Sequence, residues 1–149
     1  MLQGQPLNNS IALVTGASRG IGSAITLELG KNGATVIGTA TSASGAEQIT
    51  QSLQQAGIKG IGLALDVNDA AQIESVLKAI REQFGDVSVL VNNAGITRDT
   101  LLMRMSEDDW DSVLSTNLKS VFRMSQAVLR PMMKARAGRI INISSVVGH

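Results

Sequence analysis

The 149-residue sequence contains no cysteine and no tyrosine, has two prolines, and carries aromatic side chains at only 2%. Without cysteine there is no disulfide framework and no thiolate centre, and the single histidine and the scattered carboxylates show no metal-ligand spacing. The shortage of aromatics removes the stacking platforms that hold single-stranded nucleic acid, which makes nucleic acid a poor partner. No apolar run approaches the roughly 20 residues of a membrane span, and Met1-Leu2-Gln3-Gly4-Gln5-Pro6 lacks a basic region followed by an apolar core. A soluble, untargeted, cytoplasmic protein is expected. Acidic residues are missing from one end: 1–111 hold 7 basic and 12 acidic residues, whereas 112–149 hold 6 basic and none acidic.

What is present is enough for one core. At 149 residues and 44% hydrophobic, a single domain over 1–149 is expected. The apolar run 11–14 leads into Thr15-Gly16-Ala17-Ser18-Arg19-Gly20-Ile21-Gly22, after which Ile21, Ala24, Ile25 and Leu29 recur at helical spacing until Gly30 and Gly33. Strands are predicted over 34–39, 58–65, 87–91 and 139–144. Helices are predicted over 44–56, with Ile49 and Leu53 inward, and from Asp69 along Ile73, Val76, Leu77, Ile80 and Phe84. A short helical piece over 101–105 precedes Ser106-Glu107-Asp108-Asp109, which reads as a capping box. It starts a long helix with Trp110, Val113, Leu114, Val121, Met124 and Val128 on its apolar stripe, a kink or restart at Pro131, and an end at Gly138. Strands alternating with helices imply an α/β fold, a doubly wound parallel sheet of Rossmann type with five strands and four helices.

The glycine-rich turn lets the chain reverse sharply, approach a diphosphate without an intervening Cβ, and start a helix whose N-terminus favours anions. Its Gly-x-x-x-Gly-x-Gly spacing is neither the Gly-x-Gly-x-x-Gly dinucleotide fingerprint nor a P-loop. Alone it is a weak signal. Between a strand and a helix it points to nucleotide binding.

Together with Asn92-Asn93-Ala94-Gly95 after the fourth strand, this turn resembles the paired signature of short-chain dehydrogenases/reductases. Val36-Ile37-Gly38-Thr39-Ala40-Thr41-Ser42, Asn92 to Asp99, Leu101-Leu102-Met103-Arg104-Met105 and Arg139-Ile140-Ile141-Asn142-Ile143 are similar to the bacterial 3-oxoacyl-[acyl-carrier-protein] reductases, and the resemblance runs from Ile11 onward. It implies that Gly16, Ser18, Arg19, Gly20 and Ile21 wrap the cofactor diphosphate and adenosine ribose. It places Asp66 and Val67 beside the adenine, and Asn93, Ala94 and Gly95 on the adenosine side, with Asn92 bracing the fourth strand. An ordinary turn is the other reading of Asn92 to Gly95.

An acid about 20 residues past the turn would bond the ribose hydroxyls and repel a 2′-phosphate. The second strand ends in Gly38, Thr39, Ala40 and Thr41 with no acid, and Arg19, Thr39 and Thr41 offer a charge and hydroxyls, so NADPH is expected over NADH. The resemblance makes Ser145 the serine that holds the substrate carbonyl, although Ser144 and Ser145 also read as a turn. It makes Asn117 the holder of a relay water; as an amide on an apolar stripe, Asn117 needs a partner, and nearby backbone is the less favoured alternative. Arg130 and Arg136 are docking candidates for an acidic acyl carrier protein, or simply part of a solvated face. A homo-oligomer, a tetramer in the family, is implied as well.

The same resemblance calls for a tyrosine proton donor and a lysine four residues later, and the sequence up to His149 contains no tyrosine. The 149-residue chain is therefore expected to be inactive on its own, a part of a reductase truncated before its catalytic tyrosine and lysine. Alternatives are a non-catalytic nucleotide-binding fragment or interaction partner, or another short-chain reductase.

Overall fold

The computed structural model describes residues 6–93 and 106–143. In chain order the elements are β1 (Ile11–Val14), α1 (Gly20–Lys31), β2 (Thr35–Ala40), α2 (Ala43–Gln55), β3 (Gly60–Ala64), α3 (Ala70–Gln83), β4 (Val89–Asn92), α4 (Glu107–Ala135) and β5 (Arg139–Asn142). The helical piece expected over 101–105 lies outside the described residues. The strands form one parallel sheet in the order β3-β2-β1-β4-β5. This is the expected doubly wound α/β arrangement.

The alternation of side chains along the strands builds a core on each face. Ala12, Val14, Val36, Val89 and Val91 pack with Ile49 and Leu53 of α2, and Ile25 and Leu29 of α1 lie against them. Leu13, Ile37 and Leu90 point the other way, onto Ile73 and Ile80 of α3 and Met124, Val128 and Met132 of α4. Leu13, Ile37 and Leu90 are each 0% exposed, and complete burial of such a side chain stabilises by about 1.5–3 kcal/mol. A strand covered on both faces must be apolar at every position, which is why β1 reads as an unbroken run. Chain order in the sheet reverses between β1 and β4, and the crevice at the carboxyl ends of those strands is where such sheets bind ligands.

Three helical expectations are corrected. In α1 the residues buried are Gly22 and Thr26, while Ile21 is 62% exposed: the helix approaches the sheet backbone-first, and Thr26 satisfies its buried hydroxyl on the Gly22 carbonyl at 2.8 Å. Along α4, Met124 and Val128 are buried, but Leu114 is 43% exposed; the Val113 side chain lies outside the described set. Pro131 neither breaks nor restarts α4. Its missing N–H would have bonded the carbonyl of Ala127, which sits on an exposed turn where water reaches it. The helix then ends at Arg136, in the left-handed region with φ 57°, rather than at Gly138.

Caps explain the other helix starts. Ser42 accepts from the Gly45 N–H at 3.0 Å, Asp69 from Ala71 and Gln72 at 3.0 and 3.2 Å, and Ser106 with Asp109 completes the expected capping box.

Candidate functional site

The site grows from the end of β1. Thr15 is 1% exposed, its N–H donates to Val91 at 3.1 Å, and its hydroxyl oxygen accepts from the Asn93 N–H at 2.9 Å. The chain then reverses through Gly16 at φ 62° and Gly20 at φ 61°, conformations that suit glycine. Ala17 N–H donates to the Thr39 carbonyl at 2.8 Å, pinning the turn to β2, and the Asn93 Nδ2 donates to the Gly16 carbonyl at 3.0 Å, pinning it to the end of β4. Gly22 closes the arrangement: a Cβ there would overlap the Gly16 carbonyl oxygen and lie 2.5 Å from Asn93 Nδ2.

The N-terminus of α1 is left open. Its cap residue, Arg19, has extended backbone and no side-chain cap bond, and the first turn contains no acid. Arg19, Gly20 and Ile21 are exposed, and a Cβ on Gly20 would meet nothing within 4 Å. Helix-start N–H groups without a side-chain cap, a positive dipole end and an exposed guanidinium thus stand together, an arrangement suited to an anion. The N-terminus of α2 lies beside it: a Cβ on Gly45 would come 2.7 Å from Ala40 Cβ and 3.7 Å from Ser18 Cβ.

The remaining sequence-predicted residues are placed as follows. Ser18 is half-buried in the turn, Thr39 is 1% exposed within β2, and Thr41 is exposed just past it. Asp66 is exposed after β3, with half-buried Val67 following. Asn93 holds the turn, a role the sequence reading missed in placing it beside the adenosine. Asn92, 6% exposed, does brace its strand: its Nδ2 donates to Asn142 Oδ1 of β5 at 2.9 Å and to Ser125 Oγ of α4 at 3.4 Å. Asn117 is only half-buried, so solvent can satisfy its carboxamide and burial does not oblige a protein partner. Arg130 and Arg136 are exposed, and Arg136 is also the α4 cap. Ala94, Gly95, Ser144 and Ser145 lie outside the described residues.

Two features escaped the sequence reading. Leu114, Leu118 and Phe122 are 43%, 62% and 63% exposed along α4 and line an open groove with Asp111, Ser115 and Lys119. Their four-residue spacing was visible in the sequence, but of the three only Leu114 was read, as part of the apolar stripe. Arg123, one residue on, donates from Nη1 to the Asn68 carbonyl at 3.0 Å, and a contact across 55 residues leaves no local pattern. Among the described residues, no helix is long and apolar enough to cross a membrane.

Known proteins are similar to this chain over most of its length. The chain is 59% identical over 142 residues to the 3-oxoacyl-[acyl-carrier-protein] reductase FabG of Pseudomonas aeruginosa, covering 95% of this chain and 58% of that protein. It is 63% identical to the protein of that name in Salmonella typhimurium and 62% to that in Escherichia coli K12, each over 138 residues, 93% of this chain and 55% of the relative. The chain therefore spans a little over half the length of these relatives. The family model described as short chain dehydrogenase matches residues 10–149, and the chain belongs to that family.

Proposed function

We propose that these residues are the cofactor-binding Rossmann domain of an NADPH-dependent oxidoreductase that reduces 3-oxoacyl-[acyl-carrier-protein] to 3-hydroxyacyl-[acyl-carrier-protein] in fatty acid biosynthesis. The observation that carries the reading is the uncapped N-terminus of α1 beside a turn held on both sides, in a chain about 60% identical to reductases of that name. Gly16, Ser18, Gly20 and Ile21 receive the diphosphate. Arg19 and Thr41 take the 2′-phosphate, and Thr39, enclosed in β2, shapes the floor beneath it. Asp66 and Val67 border the adenine, with Asn93, Ala94 and Gly95 beside the adenosine. When bound, the cofactor supplies a hydride to the substrate carbonyl carbon. Ser145 holds the carbonyl oxygen and Asn117 a water that relays a proton.

No tyrosine stands among the 149 residues to protonate that oxygen. On their own they are thus expected to hold cofactor without turnover; the second reading is a non-catalytic nucleotide-binding partner of an intact relative. Arg130 and Arg136 form a positive docking surface for the acidic carrier protein. The exposed apolar stripe of α4 suits a homo-oligomer, a tetramer, working in the cytoplasm.

The test is NADPH oxidation with an acetoacetyl thioester on the full-length gene product. Turnover with NADPH supports the reductase, and reversing both arginines should raise the KM for carrier-bound substrate while leaving that for NADPH. Cofactor binding without turnover supports the second reading. Reductase activity from a verified 149-residue product would refute the assignment of the proton donor.

A further inference from the structure

The loop between β3 and α3 starts from Leu65, which is 2% exposed and donates its N–H to the Ala40 carbonyl of β2 at 2.8 Å, and Val67 packs against the core. Asp66 N–H donates to Gln72 Oε1 at 3.0 Å, the Asp66 carbonyl accepts from Asp69 N–H at 3.0 Å, and Asn68 N–H donates to Asp66 Oδ1 at 2.9 Å. These bonds shape the loop, and Leu65 fixes its near end on β2. The Arg123 guanidinium adds a tie at the far side, donating to the Asn68 carbonyl from α4, an element 55 residues away in sequence. Arg123 is well placed to act as a fixed post. Next to it, Met124 is 1% exposed against the sheet, and Ser125 accepts from Asn92, so the helix at this point cannot slide without disturbing β4.

We infer that Arg123 is a positioning residue for the adenine half of the cofactor: by tying the Asn68 carbonyl to α4, it sets how close Asp66 and Val67 stand to the ring. This rests on the cofactor reading above. Arg123 itself touches no cofactor. Because the guanidinium is a charged donor to a neutral acceptor, its bond is among the stronger kinds, moderated here by solvent.

The test compares the unaltered chain with Arg123→Met, which keeps much of the aliphatic stem, and Arg123→Lys, which keeps a donor. Each is titrated with NADPH and with adenosine 2′,5′-bisphosphate, and thermal unfolding is recorded. Arg123→Met should weaken both ligands by the same factor, about fivefold, with Arg123→Lys recovering part of the loss and the melting temperature nearly unchanged. The inference is overturned if Arg123→Met binds both ligands as the unaltered chain does. It is also overturned if only NADPH weakens, or if affinity falls only where the variant has begun to unfold. Failure of the unaltered chain to bind either ligand would instead remove the cofactor reading itself.

Discussion

Gly22→Ala is expected to weaken NADPH binding more than tenfold and to destabilise the fold by about 1–3 kcal/mol. The added Cβ would overlap the Gly16 carbonyl oxygen and press on the Asn93 amide, and neither can yield cheaply. Gly16 lies between Thr15 and Ala17, whose N–H groups are bonded to β4 and β2, and Asn93 is itself held by Thr15. Relief must come from breaking the bond between Asn93 and Gly16 and reshaping the turn. Gly20→Ala is the control for stability: nothing crowds its Cβ, so the free chain meets only the strain of a left-handed φ, about 1–2 kcal/mol, whereas its cofactor affinity also reflects its place at the diphosphate. Cofactor titration and urea unfolding of both variants check this. Equal losses of stability at the two glycines would mean that close packing of Gly22 does not hold the turn.

The second large effect concerns association. If the exposed stripe of α4 forms the proposed homo-oligomer, Leu118→Glu combined with Phe122→Glu should turn it into monomers. Each side chain is more than 60% exposed in the single chain, and full burial of either stabilises by about 1.5–3 kcal/mol. In a two-fold interface every substitution enters twice, and the four carboxylates would also repel across the contact. Light scattering on the unaltered and doubly substituted proteins measures it. An unchanged mass would place the interface elsewhere.

Much of the fold was legible because the strongest signals are local. The unbroken apolar run of β1, the stripe of Ile73 and Ile80, and the caps at Asp69 and Ser106 each follow from one element's own geometry. The errors arose where tertiary contact decided. Ile21 fits a helical stripe, yet it is Gly22 beside it that turns inward, against the Gly16 carbonyl and Asn93, leaving Ile21 exposed. Leu114 fits one as well, although the part of α4 that packs in the core is the part that carries Met124, Val128 and Met132. Pro131 is tolerated because the carbonyl it deprives faces water. For the site, the glycine spacing and the pair Asn92-Asn93 were readable as a motif, but not the division of labour between them. Asn92 crosses from β4 to β5 and α4, whereas Asn93 reaches back 77 residues to hold Gly16. Such contacts depend on the strand order, in which β4 comes to lie beside β1.

The central claim is that the turn between β1 and α1 holds a dinucleotide with a 2′-phosphate. Titration of the 149-residue chain with NADPH and NADH, by quenching of Trp110 or by calorimetry, tests it most directly. NADPH should bind at least tenfold more tightly, because no acid follows β2 to repel the phosphate and Arg19 and Thr41 stand exposed to receive it. Equal or tighter binding of NADH would contradict the account.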